Sequence, residues 1–348
     1  MADKKIPTLK EVGAHAGVTA ATASMALRHD RRISLATQKR VQQAAAELGY
    51  RPDPILSALV SRRKGVRARK PLANLAILID ERWLAHGKAP LWMQSFLQGA
   101  SQMAHQLGYH VEALYYPRDL VPGVNADRIL HARGIQGVAL FPLPGEQKNL
   151  VLDWDHYALV VIGHPRLPRM PHRVGSDPFA AMNLVCQKLR EYGYRRVGLA
   201  HELHQEAELR YEFLGAIAKE NHLHRRSFRA VAPHLPERLT RSGFLAWVRK
   251  HRPDAVITVE ERLLYWLQES GWRVPEEIGI AFLNTHIIQV PKPAGTLLHN
   301  DSTGENAVEL LHNQLLRGET GFPKTVKEML IYPHWTDGIT LPRRPSPG

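Results

Sequence analysis

Between residues 8 and 50 the apolar positions recur at helical spacing, and nothing alternates as a strand would. Thr8 followed by Glu11 is a T-x-x-E capping box, which satisfies two backbone N–H groups at a helix start. Leu9, Val12 and Ala16 then share a face, and Gly17 permits the positive-φ turn that closes the helix. Thr19 caps a second helix from Ala20 to about Leu27. Ser34 caps a third, whose inward stripe is Val41, Ala44, Ala45 and Leu48, and Gly49 stops it. Two short helices joined by a Gly-containing turn and braced by a third make a helix-turn-helix.

Residues 51–71, RPDPILSALVSRRKGVRARKP, form a join. Asp53 and Pro54 cap and open a short helix carrying Ile55, Leu56, Ala58, Leu59 and Val60, and a basic tail from Arg62 to Lys70 follows. From Leu72 the pattern switches to alternating strands and helices. LANLAILID, HVEALYY, QGVALFP, ALVVIGHP, RRVGLAH, DAVITVE and IGIAFLN read as strands. LWMQSFLQGASQMAHQLGY, a segment ending near Arg133, DPFAAMNLVCQKLREYGY, Ala207–Ala218, Arg241–His251 and Leu263–Ser270 read as helices. Repeated β-α units predict parallel sheets covered on both faces, here as two sheet domains around a cleft.

Charge divides the chain along the same line. The formal charge is +13, and residues 1–70 hold 15 Lys/Arg against 5 Asp/Glu, whereas the remainder is nearly balanced. A basic helical module on a neutral body points to a polyanion partner for the module and another task for the body. Cys186 is the only cysteine, which excludes an intrachain disulfide and multi-cysteine zinc sites, and its apolar neighbours Met182, Leu184, Val185 and Leu189 predict a buried thiol. MADKKIPTLKE has no apolar signal-peptide core, and no apolar run is long enough for a membrane span, so a cytoplasmic, nucleoid-associated protein is expected. HELH at His201–His204 sets two imidazoles three apart, but directly after a strand the stretch is expected to be loop, and no metal is assigned. There is no G-x-x-x-x-G-K-[ST] loop, G-x-S-x-G elbow or G-x-G-x-x-G after the first strand, so neither enzyme activity nor a cofactor is expected.

The order of parts resembles the lactose-repressor/galactose-repressor family of bacterial transcription regulators along nearly the whole chain. The match rests first on PTLKEVGAHAGVTAATASMALRHDRRISLATQKRVQQAAAELGYRPD, and within it on ELGYRPD before a short apolar helix. The run from Asp177 to Val197, LQESGWRVPEEIGIAFLN and HNDSTGENAVELL resemble family segments of the body. The resemblance implies a helix-turn-helix headpiece over 1–52, a hinge helix and basic linker over 53–71, and an effector-binding and dimerisation region over 72–348. The implied fold is an all-α headpiece plus hinge helix, then an α/β, periplasmic-binding-protein-like region of two parallel-sheet subdomains. The implied partners are a double-stranded DNA operator, a second copy of the chain and a small-molecule effector, with sugars and sugar derivatives one class to consider. GITLPRRPSPG carries no heptads, so a dimer is expected rather than a tetramer held by a helical tail.

The resemblance also implies which residues meet DNA. The second helix would lie in the major groove, yet it offers only Ala20, Ala21, Thr22, Ala23 and Ser24 there, with Met25 where many relatives have arginine. Such side chains cannot form the bidentate base pairs that Arg, Asn or Gln form; they can pack on thymine methyl groups or bond single acceptors. Leu59 matches a leucine that wedges into the minor groove, and Leu56 replaces a small residue one turn earlier, so discrimination would shift to DNA deformation. Arg28, Arg31, Arg32, Lys39, Arg51, Arg62, Arg63 and Lys64 are phosphate-contact candidates, and Thr8, Thr19, Ser34 and Tyr50 complete the DNA-facing set.

For the effector, Arg210 matches a ligand-gripping arginine, and Trp92 lies where an aromatic side chain stacks on ligand. Glu260 and Asn284 stand where relatives carry an Asn and an Asp, so two of the four depart in residue type. Two other functions fit parts of the pattern: a solute-binding transport protein, which the headpiece opposes, and an effector-independent architectural DNA-binding protein, which a side-chain-filled cleft would favour.

Overall fold

The computed structural model describes residues 8–27, 33–48, 50, 74–84, 87–120, 126–141, 152–164 and 169–344. The chain divides into two units, residues 1–73 with 313–319, and residues 74–312 with 320–348. The hinge candidates Leu56, Leu59, Arg62, Arg63 and Lys64 lie outside the described residues, as do Arg28, Arg31, Arg32 and Arg51.

In the first unit, α1 (Leu9–His15), α2 (Ala20–Leu27) and α3 (Leu35–Leu48) close over Val12, Ala16, Ala23, Ala26, Val41, Ala44 and Ala45. The expected caps are made. Glu11 N donates to Thr8 Oγ1 at 3.3 Å and Thr8 N to Glu11 Oε2 at 2.6 Å, the reciprocal capping box. Gly17 takes φ +65°. Gly13 allows α1 to sit directly on the turn: a Cβ there would lie 2.9 Å from the Val18 carbonyl oxygen. Val18 N donates to Gly13 O at 2.8 Å, and Arg40 Nε on α3 donates to Ala16 O at 2.9 Å, satisfying a carbonyl at the end of α1.

The second unit holds two six-stranded sheets. The first contains β1 (Asn74–Asp80), β2 (His110–Tyr116), β3 (Ile135–Leu140), β4 (Ala158–Ile162), β5 (His172–Ser176) and β11 (Glu328–Ile331), in the order β11-β5-β4-β3-β1-β2 and parallel throughout. The second contains β6 (Arg196–Leu199), β7 (Arg229–Ala230), β8 (Ala255–Thr258), β9 (Gly279–Phe282), β10 (Gly295–Leu297) and β12 (His334–Thr336), in the order β12-β10-β9-β8-β6-β7. Only β12 runs antiparallel to its neighbour, β10. The central strands are buried almost end to end, as continuous apolar runs such as NLAILID and ALVVI require when both faces are covered.

The helices are α4 (Leu91–Leu107), α5 (Ala126–Ala132), α6 (Pro178–Glu191), α7 (Leu203–Glu208), α8 (Glu212–Leu223), α9 (Arg241–His251), α10 (Arg262–Glu269) and α11 (Asn300–Arg317). The chain leaves the first sheet after β5, returns through α11 to β11, and crosses again to β12. α4 crosses the start of α11 at backbone contact, because a Cβ on Gly99 would lie 2.1 Å from Asp301 O and one on Gly304 2.1 Å from Phe96 O. The single helix expected over Ala207–Ala218 is two. Arg210 and Tyr211 take φ of 56° and 61°, and that left-handed corner separates α7 from α8. The second half of the HELH stretch is also not loop: Glu202 caps α7, and Leu203 and His204 begin it.

Candidate functional site

On α2 the burial pattern sorts the small residues. Ala23 and Ala26 turn into the core, which corrects the grouping of Ala23 with the outward set. Ala21 is exposed, and Ala20, Thr22, Ser24 and Met25 are half-buried. Thr19 is committed to the helix start: Thr22 N donates to its Oγ1 at 3.1 Å, and the two hydroxyls lie 2.9 Å apart. Ser34 does the same for α3, accepting from Thr37 N at 3.3 Å. Tyr50 packs against the headpiece core, and its N–H donates to Ala45 O at 2.8 Å. The outer face of α2 is thus shallow and nearly free of long polar side chains.

In the second unit a cavity of about 160 Å³ opens at the carboxyl ends of β8, β9 and β10, where Val259, Asn284 and Leu298 stand just beyond their strands. Ser176 ends β5, Pro178 opens α6, and Leu209 and Phe213 flank the α7–α8 corner. Ligand sites in doubly wound sheets lie at this end of the strands. Asn284 lines the cavity, and its Oδ1 accepts from His286 N at 3.1 Å.

The other three effector candidates are not brought to the cavity wall. Glu260 is held in a network: Arg262 Nε lies 3.0 Å from its Oε2, and Gln205 Nε2 donates to its Oε1 at 3.0 Å. Arg262 also reaches Glu202 at 2.8 Å, so the connections that follow β6 and β8 are tied together. Trp92, at the start of α4, packs edge-on against Trp83 at 5.7 Å and beside Phe141 at 5.8 Å. Arg210, next to Leu209, points its Nη1 toward Glu328 Oε1 at 3.9 Å.

Glu328 leads to residues that the sequence did not single out. Its Oε2 accepts from Arg173 Nη2 at 2.9 Å, and Arg173, on β5, is only 2% exposed. Arg173 Nη1 donates to Gly163 O at 3.3 Å, one residue before His164 at the end of β4. Burial, with the charges of Arg173 and Arg210 nearby, pushes His164 down to about 4, so its imidazole is neutral. Arg173 Nε and His164 Nε2 are both buried without a hydrogen-bond partner. The readable signal was slight: an arginine within the short strand HRVGS, and GHP after an apolar run.

Deeper in the second sheet, His201 and Glu206 are fully buried, with Nε2 and Oε1 3.8 Å apart. Burial lowers His201 to about 4 and raises Glu206 to about 7. Cys186 is buried as expected, and burial raises its thiol well above the usual range. Among the described residues no group of three or more His, Cys, Asp or Glu is placed to hold a metal ion, and no helix is long and apolar enough to cross a membrane.

Comparison with known proteins bears on both units. Residues 8–53 match the family model described as bacterial regulatory proteins, lacI family, and residues 186–334 match the periplasmic binding protein-like domain. The HTH-type transcriptional repressor PurR of Mannheimia succiniciproducens is 21% identical over 324 residues, 88% of this chain and 92% of that protein. A solved lac repressor dimer bound to operator and the anti-inducer ONPF shares the fold at a TM-score of 0.54 and 17% identity, over 97% of this chain and 99% of that one. A complex of the transcriptional regulator CelR with cellobiose does so at 0.52 and 20%, over 96% and 99%. The chain thus carries a helix-turn-helix region that matches the lacI family of bacterial regulatory proteins, followed by a region that matches the periplasmic binding protein-like domain.

Proposed function

We propose that the protein is a repressor that binds a palindromic operator as a homodimer and whose grip on DNA is set by a small molecule in the body. The headpiece, residues 1–52, presents the outer face of α2 to the major groove. The hinge, residues 53–71, inserts Leu59, with Leu56 beside it, into the minor groove. Arg28, Arg31, Arg32, Arg51, Arg62 and Arg63 neutralise phosphates. The body, residues 72–348, pairs the two copies and holds the effector near Asn284 and Arg210, with Glu260 and Trp92 shaping the surroundings.

The observation that supports this reading best is the outward α2 face. A helix capped at Thr19 and anchored inward by Ala23 and Ala26 keeps Ala20, Ala21, Thr22 and Ser24 on its other side. That is a surface shaped for close approach to a groove rather than for packing against protein. The cavity beside Asn284 favours an effector-responsive protein over an architectural one, since side chains do not fill the space. Footprinting on sites selected from random DNA tests the reading. Two symmetric half-sites protected together are expected, and an isolated half-site protected by a monomer would refute it.

A further inference from the structure

We infer that the effector is a small monocarboxylate with an apolar body, held with its hydrocarbon part in the cavity and its carboxylate against Arg210. The inference rests on the effector reading above and narrows it to a chemical class.

The cavity wall gives the apolar half. Leu209, Phe213, Val259, Leu283, Ile287 and Leu298 supply most of it, and only Ser176 and Asn284 bring polar side chains. The Asn284 carbonyl is already taken by His286 N. A polyhydroxylated ligand would bury several hydroxyls against this wall without partners, and each would lose its water for nothing. An aliphatic or aromatic body loses no hydrogen bonds there.

The charged half lies next to Leu209. Among the described residues the Arg210 guanidinium makes no hydrogen bond, only the 3.9 Å ion pair to Glu328. Arg173 Nε and His164 Nε2 are orphaned in the same cluster. A carboxylate already stands there: that of Glu328, between Arg173 and Arg210 at 2.9 and 3.9 Å. The internal carboxylate shows that the cluster accepts a planar anion, and the looser contact, to Arg210, is the one a ligand can take over. Of the other acids nearby, Asp177 caps α6, accepting from Ala180 N at 2.8 Å, and burial raises the Glu212 carboxyl above its ordinary value. A monocarboxylate thus satisfies Arg210 while its tail removes apolar surface from water, whereas a neutral sugar does neither.

The test uses the full chain and calorimetric titration, with thermal midpoints as a second readout. Probes are a series of four- to eight-carbon monocarboxylates, including 4-methylpentanoate and phenylacetate, with their neutral amides and a panel of neutral sugars. At least one carboxylate should bind and raise the midpoint, its amide should bind at least tenfold more weakly, and sugars should leave the midpoint unchanged. Arg210→Gln, at a side chain half open to solvent, should weaken the carboxylate at least tenfold, leave the amide unaffected and preserve the unliganded midpoint; Arg210→Lys should restore part of the loss. Sugars binding where carboxylates do not would overturn the class and leave the effector reading standing. Carboxylate binding indifferent to Arg210→Gln would overturn the assignment of the head group. Binding by neither class would overturn both the class and the effector reading.

Discussion

Gly13 shows how much one side chain decides in a headpiece this small. A methyl group there would lie 2.9 Å from Val18 O in the turn and 3.1 Å from Ala20 N at the start of α2. Gly13→Ala should raise intrinsic helix propensity yet lower headpiece stability by about 1–3 kcal/mol, because α2 must move outward. Thermal melts followed by circular dichroism would show the drop, and an unchanged or raised midpoint would mean that the turn has slack. Glu206 makes a second residue-scale case. Its folded value of about 7 exceeds the ordinary 4.5, so the folded state holds a proton that the unfolded chain has lost, and stability falls as pH rises from about 4.5 to 7. His201, held at about 4 against 6.5, acts oppositely: stability falls as pH drops from about 6.5 to 4. Glu206→Gln removes only the first slope. The variant should gain stability with rising pH up to about 6.5 and exceed the parent above pH 7; a constant offset at every pH in urea titrations would show that Glu206 does not titrate as described. Neither effect was legible in the sequence, where Gly13 is one glycine among many and HELH suggested a loop.

At the scale of elements, the legible parts were those whose pattern has one solution. The Thr8 capping box and the long amphipathic α4 and α6 came directly from spacing, because each carries enough apolar positions to fix its face. The strands β5, β7, β10, β11 and β12 did not. They are two to five residues long, and short segments draw their pairing from neighbours distant in sequence. The break between α7 and α8 was hidden for a related reason. Arg210 and Tyr211 adopt left-handed angles that their residue types disfavour, so tertiary packing sets the corner. The same limit hid the arginine-rich cluster, since His164, Arg173 and Glu328 meet only once β4, β5 and β11 pair. One element-scale prediction follows from the crossing of α4 and α11. Gly99→Ala would set a Cβ 2.1 Å from Asp301 O, so the two helices must separate, at a cost of at least about 1–3 kcal/mol. The loss should appear as a lower midpoint for the body with the headpiece transition unmoved, and a variant as stable as the parent would mean that the helices slide freely.

At the scale of the whole molecule, charge and chemistry separate by unit. Residues 1–70 carry 15 of the 46 Lys/Arg but only 5 of the 33 Asp/Glu, so if this part faces DNA as proposed, phosphates would supply its affinity while α2 would offer little hydrogen bonding. The proposed contacts between Ala20 or Ala21 and thymine methyl groups would be worth on the order of 1 kcal/mol each, against about 1–3 kcal/mol for a bidentate arginine–guanine pair. On the proposed reading, specificity should therefore be shallow in the outer half-sites and steeper at the centre, where the proposed pair of hinges would deform the duplex. The most direct measurement is selection of binding sites from random DNA, followed by replacement of thymine with uracil at each enriched outer position, which deletes only the methyl group. Weaker binding at those positions, by several-fold per methyl, is the expected result. A strongly required outer guanine, indifferent to uracil at its neighbours and to changes in the hinge, would contradict it and show that a long side chain elsewhere in the headpiece reads the operator.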